Sequence, residues 1–141
     1  MNRCYFPWQF RPAMSKKTRY EIGMYQRAMA VGASPFERLS TMYSGAIRLC
    51  KQGLQAAESG HSERASAKAE RLSVVIRRLD MSLDFSIAPD LCKNLSQLYV
   101  HIQARLNEPD AAKDPEVFRE TLQLLETLWD GFQSAENSEK G

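Results

Sequence analysis

Apolar residues recur at intervals of three and four along most of this chain, which is the pattern of helices that pack on one side. The clearest example runs from Pro35 to about Glu58. No segment alternates apolar and polar residues over a useful length, so we predict no β-sheet. The same three-and-four spacing predicts further helices over about 18–31, 62–85, 89–107 and 115–133.

Residues that begin and end helices stand at the boundaries of these segments. Ser34–Glu37 combine a capping serine, a proline at the first helical position and a glutamate three residues after the serine, which together favour a helix start. Gly60 suits a helix end, and Asp114 suits the cap of a helix that begins at Pro115. Because the connections are short, consecutive long helices must double back. The sequence therefore predicts an all-α fold, an antiparallel four-helix bundle with a short additional N-terminal helix.

The two ends of the chain differ in composition from this bundle, which we place at residues 18–133. Residues 1–17 mix aromatic and proline residues with basic ones and follow no helical or strand period, so we predict a flexible arm that caps an apolar groove of the bundle. Met14 is a second candidate start, and the residues before it would then not be translated. Residues 134–141 are polar, and we expect them to fray as a disordered tail.

Composition and charge narrow the class of protein. A chain of 141 residues is long enough for one domain with one core. A net charge of +2 is too small to suggest nucleic acid as the main partner. The chain has three widely spaced cysteines, an odd number that argues against a disulfide framework. Neither a membrane-spanning run nor a secretory signal is evident, so we expect a cytoplasmic protein without direct membrane insertion.

Few residues are candidates for catalysis or metal binding. Glu58 and His61 have the spacing of ligands in di-iron helical bundles, but Gly60 separates them at a helix end, and Leu98 stands where His101 would need its own glutamate. The serines lack the pattern of a nucleophile elbow, and the chain has no glycine-rich phosphate loop. We therefore predict no catalytic residue, no metal and no cofactor, and a protein that is not an enzyme.

Large amphipathic side chains are more numerous than a bundle of this size must bury. The pattern leaves two interpretations open, a core rich in aromatic residues or an apolar groove at the helix edges. Gly45 and Ala46 add a notch of small residues, at which a neighbouring helix or a partner backbone could approach closely. In the first predicted helix, one apolar side is formed by Tyr20, Met24, Tyr25 and Met29.

Six short motifs between residues 25 and 99 resemble those of the FliS family, the cytosolic export chaperones of flagellin, and the similarity as a whole covers roughly residues 20–132. The motifs are Tyr25-Gln26, Gly32-Ala33-Ser34-Pro35, Thr41-Met42-Tyr43-Ser44-Gly45-Ala46-Ile47, Leu79-x-x-x-Leu83-Asp84, Ala88-x-x-Leu91-x-x-Asn94-Leu95 and Asn94-Leu95-x-x-Leu98-Tyr99. Two positions depart from the family's pattern. Gly32 replaces a threonine, and Ser44 replaces an aspartate, so the role of that carboxylate is not expected here.

The resemblance implies a chaperone that holds the C-terminal segment of flagellin and keeps it from polymerising before type III export. An alternative function is a regulatory adaptor that binds an anti-sigma factor or a membrane protein of the flagellar export gate. Neither function involves nucleic acid. Carried over through the matched motifs, the protein-binding residues would be Tyr25, Gln26, Met42, Tyr43, Ile47, Leu98, Tyr99 and Ile102.

Overall fold

The structure, a computed structural model, describes the backbone of residues 16–29 and 35–140. The all-α class predicted from the sequence is confirmed, since the described residues contain helices and turns but no strand. Most of the predicted N-terminal arm and the capping residue Ser34 lie outside the described residues. The helices are α1 (Lys16–Met29), α2 (Pro35–Glu58), α3 (Ser62–Met81), α4 (Pro89–Leu106) and α5 (Pro115–Lys140), with a 3-10 turn at Ala111–Lys113.

Helix α2 is the centre of the bundle. It packs against α3 on one side and against α5 on the other, while α4 packs on α3 and α1 packs on α5. Helices α4 and α5 contact each other only weakly. The two helices α2 and α5 run antiparallel, because Phe36 at the start of α2 stacks on Trp129 whereas Gly53 near its end approaches Phe118.

Two helix boundaries predicted from local residues are confirmed. Gly60 has a φ of +77°, and the next N–H, that of His61, donates to the carbonyl of Ala56 at 2.9 Å. This pair of features is the glycine-dependent end of a helix, in which the left-handed residue lets the chain turn back on the last carbonyls. At the start of α5, the Asp114 carboxylate accepts the N–H of Glu116 at 2.9 Å, as an N-cap residue does.

Helix α3 ends at Met81, four residues before the predicted end at Phe85. Local polar groups explain the difference. The Ser82 hydroxyl donates to the carbonyl of Leu79 at 2.7 Å, and the Asp84 carboxylate accepts the N–H of Ser86 at 3.0 Å. Short polar side chains that bond nearby backbone groups compete with the hydrogen bonds of a helix, so the helix ends before the apolar pattern does.

The outer two boundaries also differ from the prediction. Helix α1 begins at Lys16, inside the predicted arm 1–17, and α5 continues to Lys140 through the tail that we expected to fray. The end of α5 has a tertiary neighbour, because a Cβ at Gly23 of α1 would stand 3.8 Å from the Cβ of Ala135. Packing of α1 against this part of α5 stabilises helical structure in residues whose composition alone does not predict a helix.

The apolar side predicted for α1 is correct at Tyr25 but wrong at Tyr20 and Met24, and the side chain of Met29 lies outside the described residues. Among the described side chains of α1, Ile22 and Tyr25 are the buried ones, at 0% and 5% exposure, whereas Tyr20 and Met24 remain 65% and 48% exposed. Residues three apart lie on one face of a helix, and Ile22 rather than Tyr20 is the apolar residue at that distance from Tyr25. Two large apolar side chains of α1 are therefore left on the surface.

A close approach between helices occurs at Gly53 rather than at Gly45, where approach of a neighbouring helix is one of the two alternatives predicted from the sequence. A Cβ added at Gly53 would overlap the ring of Phe118, so α5 lies directly against the backbone of α2 at this level. At Gly45, by contrast, an added Cβ would meet no described atom within 4 Å. The small residue at Gly45 is not required by packing within the described bundle.

Candidate functional site

The structure separates the eight residues predicted to bind a partner into two groups. Four of them are core residues, with exposures of 5% for Tyr25, 0% for Tyr43, 1% for Tyr99 and 0% for Ile102. Three others are partly buried and pack against the core, namely Met42, Ile47 and Leu98. Gln26 lies in α1, but its side chain lies outside the described residues. The seven described side chains thus do not share one open groove, and the role of all eight residues in binding stays a prediction.

The two fully buried tyrosines bond each other across the bundle. The hydroxyl oxygens of Tyr43 on α2 and Tyr99 on α4 lie 2.6 Å apart. Burial raises the pKa of both phenols well above their ordinary value, so both side chains stay neutral. One hydroxyl donates to the other inside the core, which makes this pair a structural link between motif residues that lie 56 positions apart in the sequence.

Tyr25 joins α1 to the turn after α3. Its hydroxyl accepts the backbone N–H of Asp84 at 2.7 Å, and the carbonyl of Asp84 accepts the thiol of Cys92 at 3.4 Å. Burial raises the pKa of the Tyr25 hydroxyl and of the Cys92 thiol. The tyrosine of the first motif therefore acts as a neutral acceptor that fixes the turn.

A row of aromatic rings lies between α2 and α5. Phe36 stacks on Trp129 with ring centroids 5.3 Å apart, and Trp129 stacks on Tyr43 at 5.5 Å. Tyr43 also contacts Phe132 at 5.7 Å in a tilted geometry. Phe36 and Trp129 are only partly buried, so the row leads from the surface to the buried tyrosine pair.

Helical spacing places further partly buried residues beside this row. Ile47 and Leu54 lie on the same side of α2 as Phe36, and Leu122 lies seven residues before Trp129 on α5, which puts it on the same side of that helix. Together they form an apolar strip along the junction of two antiparallel helices. We call this strip the α2–α5 seam, and it consists of Phe36, Ile47, Leu54, Leu122 and Trp129.

Neither a cluster of metal-ligating side chains nor a membrane-spanning helix occurs among the described residues. It contains no group of three or more His, Cys, Asp or Glu residues placed to hold a metal ion. Glu58, a ligand candidate by spacing, instead pairs with Arg119 at 2.7 Å, and Arg119 also pairs with Glu116 at 3.1 Å. None of the described helical segments is long and apolar enough to cross a membrane.

Sequence reasoning missed a buried ion pair at the weak junction of α4 and α5. Arg105 is buried, and its guanidinium lies 3.1 Å from the Glu120 carboxylate. Burial, together with the charge of Arg105, lowers the pKa of His101 one turn earlier. The signal was present in the sequence, because Arg105 stands three residues after Ile102 and seven after Leu98, in an otherwise apolar stripe.

Comparison with known proteins supplies a family. The family model described as "Flagellar protein FliS" matches residues 17–139 of the chain. The matched span includes nearly all of the five described helices. No curated protein shows a significant match to the chain.

Proposed function

The chain belongs to the FliS family of flagellar export chaperones, and we propose that it binds the C-terminal segment of flagellin. In this function the chaperone keeps flagellin monomeric in the cytosol until type III export. The bound segment would be amphipathic, since a segment that assembles into a filament presents an apolar face. Covering that face removes it from self-association.

The observation that carries the proposal is the α2–α5 seam. Its five apolar side chains are partly buried, which leaves apolar area for a partner to cover. Each 100 Å² of apolar surface that a partner covers contributes about 2.5 kcal/mol, before the cost of ordering the segment. A seam several helical turns long thus suits an extended or helical segment better than a small molecule.

The two groups of predicted site residues receive different roles in this proposal. Ile47 belongs to the seam and is the candidate for direct contact with flagellin there, whereas Met42 and Leu98 are partly buried outside the seam. The buried tyrosines and Ile102 act indirectly, because they hold the helices that present those contacts. Gly45 does not belong to the seam, because it lies nine residues from Leu54 and so on the opposite side of α2.

An adaptor function is the second candidate, and one observation favours it. Tyr20 and Met24 lie one turn apart on α1 and are exposed, so they are not part of the bundle's core. A membrane protein of the export gate or an anti-sigma factor would need such a surface separate from the flagellin site. Double substitution of these residues by serine would then abolish binding of that partner and leave flagellin binding unchanged.

A polymerisation assay tests the chaperone function. Monomeric flagellin is mixed with short filament seeds, and light scattering follows growth with increasing amounts of the chaperone. We expect growth to stop at a stoichiometric ratio. Ile47→Asp should relieve the inhibition, while Val100→Asp, at an exposed apolar position of α4, should not. Unchanged filament growth at excess chaperone would contradict the proposal.

A further inference from the structure

The outer face of α3 carries a stripe of arginines. Arg64, Arg71 and Arg78 recur every seven residues and are all exposed. Seven residues are close to two helical turns and rise about 10.5 Å, so the three guanidinium groups lie along one side of the helix. We call this set the arginine stripe.

The charge of the stripe is not neutralised within the described chain. The ion pairs found there involve α2, α4, α5 and the turn before α5, and none includes a residue of α3. The glutamates of α3 do not compensate locally. A basic residue three or four positions further along the helix could pair with either glutamate. Those positions hold Ser66 and Ala67 after Glu63, and Ser73 and Val74 after Glu70. The acidic helix α5 packs against α1 and α2 rather than against α3.

Two exposed apolar residues accompany the stripe. Val74 and Met81 are also seven residues apart, and they are 38% and 76% exposed. Helical spacing places them directly beside Arg71 and Arg78. A polyanion such as nucleic acid would use the arginines but not the methionine, and the net charge of +2 does not favour it. The combination instead matches a partner that is both acidic and apolar along one line.

We propose that this face of α3 binds an acidic amphipathic helix of a partner protein other than flagellin. The partner helix carries Asp or Glu at seven-residue intervals opposite the arginine stripe, with apolar residues on the adjacent line to cover Val74 and Met81. Because α2 lies between α3 and α5, the second partner leaves the α2–α5 seam accessible. The chaperone then joins two proteins in one complex, whatever occupies the seam.

A designed peptide takes the place of the partner helix in the test of this inference. The probe is an end-blocked, fluorescein-labelled alanine-rich helix of about three heptads, with glutamate at every seventh position and leucine on the adjacent line. Fluorescence anisotropy measures its binding to the full chain. Arg71→Glu/Arg78→Glu should weaken binding about tenfold, because two attractive surface pairs become repulsive. Val74→Ser/Met81→Ser should weaken it as well.

Matched controls separate this site from general electrostatics. Arg48→Glu/Lys51→Glu changes the net charge equally at exposed positions of α2 and should change the dissociation constant less than twofold. A peptide with lysine in place of glutamate should bind the Arg71→Glu/Arg78→Glu variant better than the wild-type chain. Far-UV circular dichroism checks that each variant is folded.

Three results would overturn the inference. The first is equal binding of the acidic and the basic peptide to the wild-type chain. The second is a pair of findings: duplex DNA or phosphatidylserine vesicles fully displace the acidic peptide, and Val74→Ser/Met81→Ser does not weaken its binding. Together they would make the face a general anion surface. The third is a wild-type dimer in sedimentation that Arg71→Glu/Arg78→Glu dissociates, which would assign the face to a second copy of the chain.

Discussion

Replacing each of two glycines of α2 by alanine should change stability in opposite directions. Both sites lie within the helix, so each substitution gains about 1 kcal/mol of helix propensity. At Gly45 nothing within 4 Å opposes the new methyl group, and Gly45→Ala should stabilise by about that amount. At Gly53 the methyl group overlaps the buried ring of Phe118, and overpacking of a core costs about 1–3 kcal/mol.

The net effect of Gly53→Ala is then a destabilisation of between about zero and 2 kcal/mol, because propensity offsets part of the overlap. The difference between the two variants isolates the contact with Phe118, since their propensity gains cancel, and it should be about 1–3 kcal/mol. For a domain of this size, 1 kcal/mol shifts the midpoint of thermal unfolding by about 4 °C. Urea unfolding followed by circular dichroism measures both free energies.

A compensating substitution serves as the control. Phe118→Leu removes ring atoms from the overlap, so Gly53→Ala should cost less in that background than in the wild-type chain. The same background should leave the effect of Gly45→Ala unchanged, because Gly45 does not contact Phe118. If Gly53→Ala stabilises as much as Gly45→Ala, the packing of α5 against the α2 backbone is wrong.

Three other predictions concern the tyrosine pair, alkaline pH and the N-terminal arm. Tyr99→Phe should destabilise by about 1–3 kcal/mol in urea unfolding because it leaves the Tyr43 hydroxyl unpaired, whereas changing both tyrosines to phenylalanine should be closer to neutral; equal losses would contradict the bond. Burial raises the pKa of Cys50 from 9.0 to about 12, so above pH 9 the unfolded chain loses a proton that the folded chain keeps. The free energy of unfolding should therefore fall as pH rises from 9 towards 12. A flat profile in urea titrations at about pH 8, 9.5 and 11 would refute this. If the predicted arm caps the flagellin groove, a chain beginning at Met14 should bind flagellin about tenfold more tightly than one beginning at Met1. This factor is expected for an arm that occupies the groove about 90% of the time. Equal dissociation constants would refute the capping role of the arm but not the chaperone function.

Local signals explain why much of the fold could be predicted from the sequence. The start of α5 depends on Asp114, and the end of α2 depends on Gly60, which acts through the backbone of its own turn. Such boundaries are determined within a few residues. The end of α3 was missed because polar groups at Ser82 and Asp84 compete with an apolar pattern that continues. The extent of α5 was missed because it depends on α1, which is far away in the sequence.

The candidate site was less predictable for a different physical reason. Periodicity identifies the apolar face of a helix, but it does not say which part of that face another helix covers. Tyr43 and Ile47 lie one turn apart, yet the first is fully buried and the second only partly. Arg105 shows the converse case, in which a charged residue in an apolar stripe is buried because Glu120 pairs with it. Both distinctions require the tertiary arrangement.

Calorimetric titration of the full chain with the C-terminal segment of flagellin tests the central claim most directly. We predict a one-to-one complex with a negative heat-capacity change, as expected when apolar surface is covered. Ile47→Asp should abolish the heat of binding with helical content intact, and Val100→Asp should leave the heat unchanged. Binding of the N-terminal flagellin segment in place of the C-terminal one, or undiminished binding by Ile47→Asp, would contradict the account.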